Sequence, residues 1–391
     1  MTPKPYCLFV TPILPYTTGG GPSIRASMVL EVLSSLFSVI VVHPELWENR
    51  EGIFDDDWVR AQSTAFFRIR PHRLQDIRPL VEDFLTGEPG GAKLEIVYAF
   101  RQVVAPMAIS CFNAAASRPR VTILDLDDDE SARNEQFAPL HEAAGQADVA
   151  AKIRAEIPRM NQFRTMLMPR FNHLLLANAD DCTALRSRHP GHSFVHLPNI
   201  VREPQSSATA GVRDPQSILF VGSLDYLPNE DAVAFFARSI LPLIREQDDR
   251  STFRIVGVGQ SPLVASVSSL PGMQLIGAVA NLAPEYASAG MLVVPLRAGS
   301  GTRIKILEAF QHRTPVVSTT KGAEGLAVTN GEHLLIADTP EEFAAACLRL
   351  STDDDLCRRL TERAHAWVVQ HHSIDTVRRI LGECLGNVTP C

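Results

Sequence analysis

A short stretch in the C-terminal half, beginning at Gly299, places glycines and cations at spacings that suit a bound diphosphate. Gly299 and Gly301 let the backbone approach an anion closely. Free N–H groups at a helix predicted to begin near Thr302 attract negative charge. Arg303 and Lys305 add positive charge in the first turn, where cations are unfavourable unless an anion is bound. The segment therefore predicts a diphosphate site.

Glu308 follows Lys305 by three residues, on the same helical face and in an otherwise apolar turn. Five residues of helix rise about 7.5 Å, roughly the reach from a nucleotide diphosphate to its ribose. A carboxylate at that distance can accept hydrogen bonds from both ribose hydroxyls. The alternative is an ordinary Lys305–Glu308 pair on a solvated helix face, which stabilises a helix by roughly a few tenths of a kcal/mol.

Strand-length apolar runs alternate with amphipathic helical stretches along the whole chain, which is the pattern of parallel sheets in an α/β fold. Strands are predicted at residues 6–11, 38–43, 94–99, 121–126, 173–177, 217–221, 253–257, 273–276, 291–295 and 315–318. Helices are predicted at residues 23–36, 129–169, 229–247, 303–312 and 361–385, the last with a break at 371–373.

A composition break at residues 201–215, rich in Pro, Ser, Gln, Ala and Gly, predicts an interdomain linker. We therefore expect two Rossmann-like domains that face each other across a cleft, with ligand sites at the carboxyl ends of the strands. The expected divisions are an N-terminal domain at 1–200, a linker at 201–216, a C-terminal domain at 217–373 and a C-terminal helix at 374–391 that returns to the N-terminal domain.

Residues 217–372 resemble the nucleotide-binding half of the glycosyltransferases called group 1, or family four. The matching pieces occur in the family's order: FVGSLDYLPNED at 220–231, IVGVG at 255–259, GSGTRIKILEAF at 299–310, TPVVSTTKGAEGL at 314–326 and GEHLLIA at 331–337. The resemblance implies a GT-B architecture, with an acceptor domain at 1–200 and a nucleotide-sugar domain at 217–373. It also implies a UDP- or GDP-sugar as co-substrate, no cofactor, no metal, and transfer with retention at the anomeric carbon.

By position, Glu308 matches the second glutamate of the family's Glu-x7-Glu motif, which holds the ribose. The first glutamate would fall at Ser300, and the family's Arg and Lys after the first strand of this domain would fall near Ser223 and Asn229. Arg303 and Lys305 are the replacements that we expect to hold the diphosphate. The donor-binding residues implied by the resemblance are Gly20, Gly21, Gly222, Val279, Gly299, Ser300, Gly301, Thr302, Arg303, Lys305 and Glu308.

A run of carboxylates, Asp125 to Glu130, ends a predicted strand in the N-terminal half. One interpretation is a metal-binding DxD motif, and a second is capping of the helix that follows. The third follows the resemblance, in which the family places a polar residue close to the reacting sugar. Asp127 or Asp128 fills that role, which makes Asp127, Asp128, Arg303 and Lys305 the candidate catalytic residues. The glycines before the first helix, Gly19 to Gly21, form a simple turn or, as the resemblance implies, approach the donor diphosphate. Arg25 is expected to be a surface charge, with contact to the same anion as the alternative.

Composition limits the classes of partner. A net charge of −7 argues against nucleic acid, and the absence of a signal-peptide pattern or a bilayer-length apolar stretch favours a cytoplasmic protein. The seven cysteines lack metal-ligand spacing, and this pattern indicates reduced thiols in a cytosolic protein. The resemblance implies a hydroxyl acceptor, on a glycan, a lipid-linked sugar or a small natural product. A basic patch would permit peripheral membrane contact. The rival functions are a non-catalytic sugar-nucleotide-binding subunit and a sugar-nucleotide epimerase.

Overall fold

Two parallel β-sheets, each flanked by helices, organise this computed structural model, which describes residues 4–17, 20–46, 56–88, 92–114, 118–202, 213–299 and 301–386. The chain divides into two units. The first is built from the described parts of Met1–Asp129, Pro158–Ile200 and Ile374–Cys391, and the second from those of Glu130–Ile157 and Val201–Ser373.

The first unit contains a seven-stranded sheet in the order β3-β2-β1-β4-β5-β6-β7, with every neighbouring pair parallel. Its strands are β1 (Tyr6–Val10), β2 (Ser38–Pro44), β3 (Ala65–Ile69), β4 (Leu94–Phe100), β5 (Val121–Asp127), β6 (His173–Leu176) and β7 (Phe194–His196). Alternate residues of β1 enter different cores, Cys7 and Phe9 on one face and Leu8 and Val10 on the other. Burial on both faces explains the continuous apolar runs.

The α-helices of the first sheet's connections are α1 (Gly21–Leu36), α2 (Asp57–Gln62), α3 (Ile77–Gly87), α4 (Ala105–Ala114), α5 (Glu130–Ala143), α6 (Ala147–Leu167) and α7 (Ala179–Arg188). The single helix predicted at 129–169 is wrong. The chain leaves α5 through Gly145, whose φ of +75° is a left-handed conformation that glycine adopts readily, and then begins α6.

The second unit contains a six-stranded parallel sheet in the order β10-β9-β8-β11-β12-β13. Its strands are β8 (Asp214–Val221), β9 (Thr252–Val256), β10 (Met273–Gly277), β11 (Ala289–Val294), β12 (Val316–Ser318) and β13 (Leu335–Ile336). Both sheets follow the Rossmann order. The strand order reverses between β1 and β4 in the first sheet and between β8 and β11 in the second. All of the predicted strands are present, whereas β3, β7 and β13 were not predicted.

The helices of the second sheet's connections are α8 (Leu227–Phe235), α9 (Leu241–Arg245), α10 (Pro262–Ala265), α11 (Ala283–Ser288), α12 (Ile304–Gln311), α13 (Pro340–Thr352) and α14 (Asp354–His371). A π-helical turn at Phe236–Ile240 interrupts the helix predicted at 229–247. It stands just before Pro242, which has no N–H to donate to an α-helical hydrogen bond. None of the helices in the described ranges is both long and apolar enough to cross a membrane.

Two segments set the limits of the units. Helix α5 belongs with the second unit, where Gln136 and Phe137 contact Gly299 and Tyr226. This differs from the expected domain at 1–200, because these long-range contacts cannot be read from local pattern. The last helix, α15 (Ile374–Cys384), lies in the first unit.

The buried face of α15 belongs to the core of the first unit. Val377 and Leu381 are fully buried, in one apolar cluster with residues of α1 such as Val29 and Leu33. The helix therefore stabilises the first unit, although most of the second unit lies between them in sequence.

Removing a buried side chain from α15 should destabilise the first unit. We expect Leu381→Ala to lower the free energy of unfolding by about 2–5 kcal/mol, because it leaves a cavity in this core. The control is Arg379→Ala, on the exposed face of the same helix, which should change stability by less than about 0.5 kcal/mol. Chemical denaturation followed by circular dichroism measures both, and equal losses for the two variants would contradict the packing.

Candidate functional site

The predicted diphosphate segment lies at the carboxyl ends of β8 and β11, which are neighbours at the centre of the second sheet. This is the topological switch point of the sheet, where ligands of Rossmann-like domains bind. Three pieces of chain meet there: the residues after β8, the loop after β11 and the start of α12.

Lys305 extends from the first turn of α12 to the end of β8. Its Nζ donates a hydrogen bond to Oδ1 of Asn229 at 2.9 Å and lies 4.2 Å from the centre of the Phe220 ring. Burial, together with the positive charge of Arg303, lowers the pKa of Lys305 to about 7, while Glu308 opposes the shift. A bound anion would favour the protonated form of this lysine.

Gly222 follows β8 and leaves the space into which Lys305 and Asn229 extend. A Cβ at this position would lie 2.7 Å from Nδ2 of Asn229 and 3.0 Å from Nζ of Lys305. Asn229 is held in turn by donating from Nδ2 to the carbonyl of Ser223 at 2.9 Å. A glycine here therefore keeps the ammonium and amide groups close to the strand end.

Arg303 closes the loop that precedes α12. Its side chain is buried and donates through Nη2 to the carbonyl of Gly299 at 2.8 Å and, more weakly, to that of Lys321 at 3.3 Å. Gly299 and Gly301 adopt φ angles of +119° and +78°, which are left-handed and favour glycine. Arg303 thus shapes the loop as well as adding positive charge to it.

The loop before α12 also contacts α5. The N–H of Gly299 donates to Oε1 of Gln136 at 3.2 Å, so α5 contributes a residue that the sequence did not indicate. Thr302 is half-buried just before α12, and Arg303 is the residue that precedes the first helical one. Ser300, which was predicted to bind the donor, lies outside the described residues.

Glu308 is half-buried, one turn along α12 from Lys305. Its Oε2 accepts a hydrogen bond from the hydroxyl of Tyr286 at 2.8 Å. Burial raises the pKa of Glu308, whereas the Tyr286 hydrogen bond and the Lys305 charge oppose that rise. The alternative of a solvated Lys305–Glu308 pair is wrong, because each side chain has a different partner and both are turned into the protein.

The remaining predicted donor residues are more dispersed. Val279 follows β10 and is half-buried against the core of the second unit, close in sequence to Gly277 with its φ of +81°. Gly20 and Gly21 lie in the first unit, where Gly20 precedes α1 and accepts hydrogen bonds from the N–H groups of the first helical turn. Gly19, in the same loop, lies outside the described residues.

The candidate residues of the first unit form a second, separate cluster at the end of β5. Asp128 pairs with Arg101 at 2.7 Å, and Asp127 lies 3.5 Å from the same guanidinium group. Arg101 and Asp127 have φ angles of +74° and +66°. Left-handed non-glycine residues of this kind cost about 1–3 kcal/mol each and cluster at functional sites.

Asp125 forms a fully buried ion pair with Arg25, at 2.9 Å between Nη2 and Oδ1. The expectation that Arg25 is a surface charge is therefore wrong: the helix face that carries it is packed on the sheet. Burial raises the pKa of Asp127 to about 6, although Arg101 and Arg25 both act to lower it.

The carboxylates of this run contact arginines. Asp129 accepts hydrogen bonds from Arg164 at 2.6 Å and Arg188 at 2.8 Å. Burial would raise the pKa of Asp129, but these two arginines hold it below its usual value. Within the described ranges no group of three or more His, Cys, Asp or Glu side chains is placed to hold a metal ion.

Comparisons with known proteins were made for the sequence and for the fold. Residues 215–353 match the family model described as "Glycosyl transferases group 1". An uncharacterized 44.6 kDa protein of the cps region of Klebsiella pneumoniae is 23% identical over 165 residues, which are 40% of this chain and 42% of that protein. The aligned stretch thus spans less than half of this curated relative.

Solved structures match over nearly the whole chain. HepE of Anabaena, in complex with UDP and glucose, is 13% identical with a TM-score of 0.64, covering 97% of this chain and 99% of that one. Sucrose-phosphate synthase of Thermosynechococcus elongatus is 13% identical with a TM-score of 0.65, covering 97% and 98%. The pneumococcal O-GlcNAc transferase GtfA, in complex with UDP and GlcNAc, is 9% identical with a TM-score of 0.62, covering 98% and 99%. The predicted GT-B fold and the predicted group 1 glycosyltransferase domain are confirmed.

Two glycines at the end of β8 and β9 should respond differently to alanine. In Gly222→Ala the new methyl group meets the ends of two flexible side chains, so the fold should survive with Asn229 and Lys305 displaced. In Gly257→Ala the new Cβ would lie 1.8 Å from the carbonyl oxygen of Gly222, so we expect a loss of about 3 kcal/mol or more.

Thermal unfolding measures both variants, with Gly191→Ala, a site open to solvent, as the control. We expect the melting temperature of Gly222→Ala to lie near that of the control and that of Gly257→Ala to lie far below it. Similar melting temperatures for Gly222→Ala and Gly257→Ala would contradict this description of the strand ends.

Proposed function

We propose that this chain, with its group 1 glycosyltransferase domain and GT-B fold, transfers a sugar from a nucleotide-diphosphate sugar to a hydroxyl group. The observation that carries the proposal is the pairing of Lys305 with Asn229 beside Gly222, with Glu308 one helical turn away. These residues lie within the stretch that matches the family model.

The donor diphosphate would bind Lys305 and the N–H groups at the start of α12, with Gly222 leaving room for it. Glu308 would accept hydrogen bonds from the ribose hydroxyls, while Tyr286 keeps its carboxylate in place. UDP is the favoured nucleotide, because HepE and GtfA of the same fold are described with UDP. A GDP-sugar is the other donor class compatible with this site.

Transfer would break the bond between the anomeric carbon and the diphosphate while the acceptor oxygen bonds to the same face of that carbon, with retention. The leaving diphosphate takes the negative charge, and the acceptor's proton leaves with it. Lys305, Arg303 and the helix start stabilise that charge in the absence of a divalent ion; preorganised groups of this kind contribute about 3 kcal/mol each.

The acceptor hydroxyl would bind the first unit at Asp127 and Asp128, near the carboxyl ends of β4 and β5. The Asp127 carboxylate is largely buried and lies 3.6 Å from Arg25 and 3.5 Å from Arg101, distances that leave its oxygens able to accept a hydrogen bond from a hydroxyl. The acceptor classes that this chemistry admits are a glycan, a lipid-linked sugar and a small natural product.

A donor screen tests the proposed function directly. UDP-glucose, UDP-GlcNAc and GDP-mannose are added separately, and the true donor should raise the melting temperature in proportion to the logarithm of its concentration. Release of the nucleotide diphosphate should then proceed equally with and without a metal chelator. If no nucleotide sugar shifts the melting temperature, the donor site is wrong. If activity disappears in chelator and returns with Mn²⁺, metal independence is wrong.

Substitution of Glu308 should weaken donor binding without unfolding the protein. Glu308→Ala removes a charged hydrogen-bond acceptor, which costs about 1.5–3 kcal/mol, so the donor Kd should rise about ten- to a hundredfold by calorimetry with UDP-glucose. Tyr286→Phe is the matched control, because it removes only the group that orients the carboxylate and should have a smaller effect. An unchanged Kd in Glu308→Ala would contradict the ribose assignment.

Donor affinity should depend on pH through Lys305. The pKa of Lys305 lies at about 7 in the free protein, so below that pH the ammonium is present and above it binding must take up a proton. The Kd for UDP-glucose should therefore rise with pH above about 7, by up to tenfold per unit. Calorimetry in buffers of different ionisation enthalpy counts the protons taken up. Lys305→Met should bind weakly at every pH, and a Kd of the wild type that does not change with pH would contradict the role.

A further inference from the structure

Two neighbouring strands of the first unit end in strained residues that touch each other. Arg101 follows β4 and Asp127 ends β5, both have positive φ angles, and their side chains lie 3.5 Å apart. The only other left-handed non-glycine residue in the described part of the chain is Arg313, in the second unit. Strain of this kind persists only where the surrounding structure enforces it, and here it lies at the edge where Rossmann-like units bind ligands.

Asp125 is the residue that enforces both conformations. Its Oδ1 accepts a hydrogen bond from the N–H of Asp127 at 3.0 Å, and its carbonyl oxygen accepts one from the N–H of Arg101 at 2.7 Å. The carbonyl of Asp127 is fixed separately by the N–H of Ala177 at 2.7 Å. The direction in which the Asp127 carboxylate points therefore depends on the placement of the Asp125 side chain.

Arg25 fixes the Asp125 side chain. Its Nε and Nη2 donate to Oδ1 of Asp125 at 3.1 and 2.9 Å, and Nε also reaches Oδ2 at 3.0 Å. The Tyr98 hydroxyl donates to Oδ2 at 2.5 Å. The other end of the guanidinium donates through Nη1 to the carbonyl of Leu197 and to Oδ1 of Asn199. The pair is fully buried, and a fold that needed only stability could place apolar side chains there.

We propose that Arg25 and Asp125 are positioning residues for glycosyl transfer, which hold Asp127 in its left-handed conformation so that its carboxylate meets the acceptor hydroxyl. This inference rests on the proposed function, in which Asp127 binds the acceptor. Arg25 and Asp125 themselves do not touch the substrate. The oxygens of Asp127 lie 3.6 Å from Nε of Arg25 and 3.5 Å from Nη2 of Arg101, so ion pairing leaves this carboxylate able to accept a hydrogen bond.

The test replaces the ion pair by apolar side chains, in the double variant Arg25→Met/Asp125→Leu, which avoids a lone buried charge. Its control is Arg254→Met/Glu285→Leu, which removes an ion pair that is only partly buried, in the second unit. The probe is UDP-glucose, and the measured rate is release of UDP with water as the acceptor hydroxyl. We expect kcat to fall on the order of a hundredfold in the Arg25→Met/Asp125→Leu variant, with the KM for UDP-glucose unchanged. The control should keep its kcat even if its melting temperature falls.

Coupling to Asp127 separates positioning from a merely structural role. Asp127→Ala should lower kcat in the wild type but cause no further loss in the Arg25→Met/Asp125→Leu background, because the carboxylate is already misplaced there. Multiplicative losses, or a folded double variant with the kcat of the wild type, would overturn the proposal.

A crystal structure of the double variant supplies a readout that does not depend on activity. The φ angle of Asp127 should leave the left-handed region once Asp125 no longer accepts its N–H. If Asp127 keeps its φ near +66°, the positioning role is overturned whatever the kinetics show. Failure of the proposed function looks different: the wild type would neither bind nor turn over UDP-glucose, while Asp127 would still move in the variant.

Discussion

The proposed donor site of the second unit depends on the partly buried ammonium group of Lys305. Lys305 is placed by the first turn of α12, yet its Nζ lies at the end of β8, against Asn229 and over the Phe220 ring. A partly buried cation that contacts an amide oxygen and an aromatic ring is poorly compensated, and desolvation lowers its pKa to about 7 although Glu308 opposes the shift. Gly222, the left-handed glycines of the loop and the buried Arg303 all serve to keep space and positive charge at this point. These features support the proposal that the site binds an anion, and the spacing from Lys305 to Glu308 suits a nucleotide diphosphate.

The first unit has a similar parallel sheet topology but different residues at the ends of its strands. Its strand ends carry carboxylates rather than glycines, and each carboxylate of the run contacts an arginine. The buried Arg25–Asp125 pair holds Asp127 in a backbone conformation that it would not adopt alone. In the proposed function, the second unit attracts the negative charge of the donor and the first unit presents a carboxylate to the acceptor hydroxyl.

Local pattern predicted ten of the thirteen described strands, because strand-length apolar runs are contained within a few residues of sequence. The Gly299-to-Glu308 spacing, from which the donor segment was predicted, is equally local. The partners of those residues could not be predicted in the same way. Asn229 lies 76 residues from Lys305, and Asp125 lies 100 residues from Arg25. For Arg25, a charged residue one turn into a helix reads as exposed unless its burial is known. Gln136 was missed for a related reason, since nothing local shows that α5 belongs with the second unit.

The central claim is that Lys305 holds the donor diphosphate while Glu308 holds the ribose. A crystal structure of the protein with UDP tests it most directly. Nζ of Lys305 should lie about 3 Å from a phosphate oxygen, and the Glu308 carboxylate should accept hydrogen bonds of about 2.7 Å from the ribose hydroxyls. UDP bound elsewhere, or bound here with Lys305 still paired only to Asn229, would contradict the account.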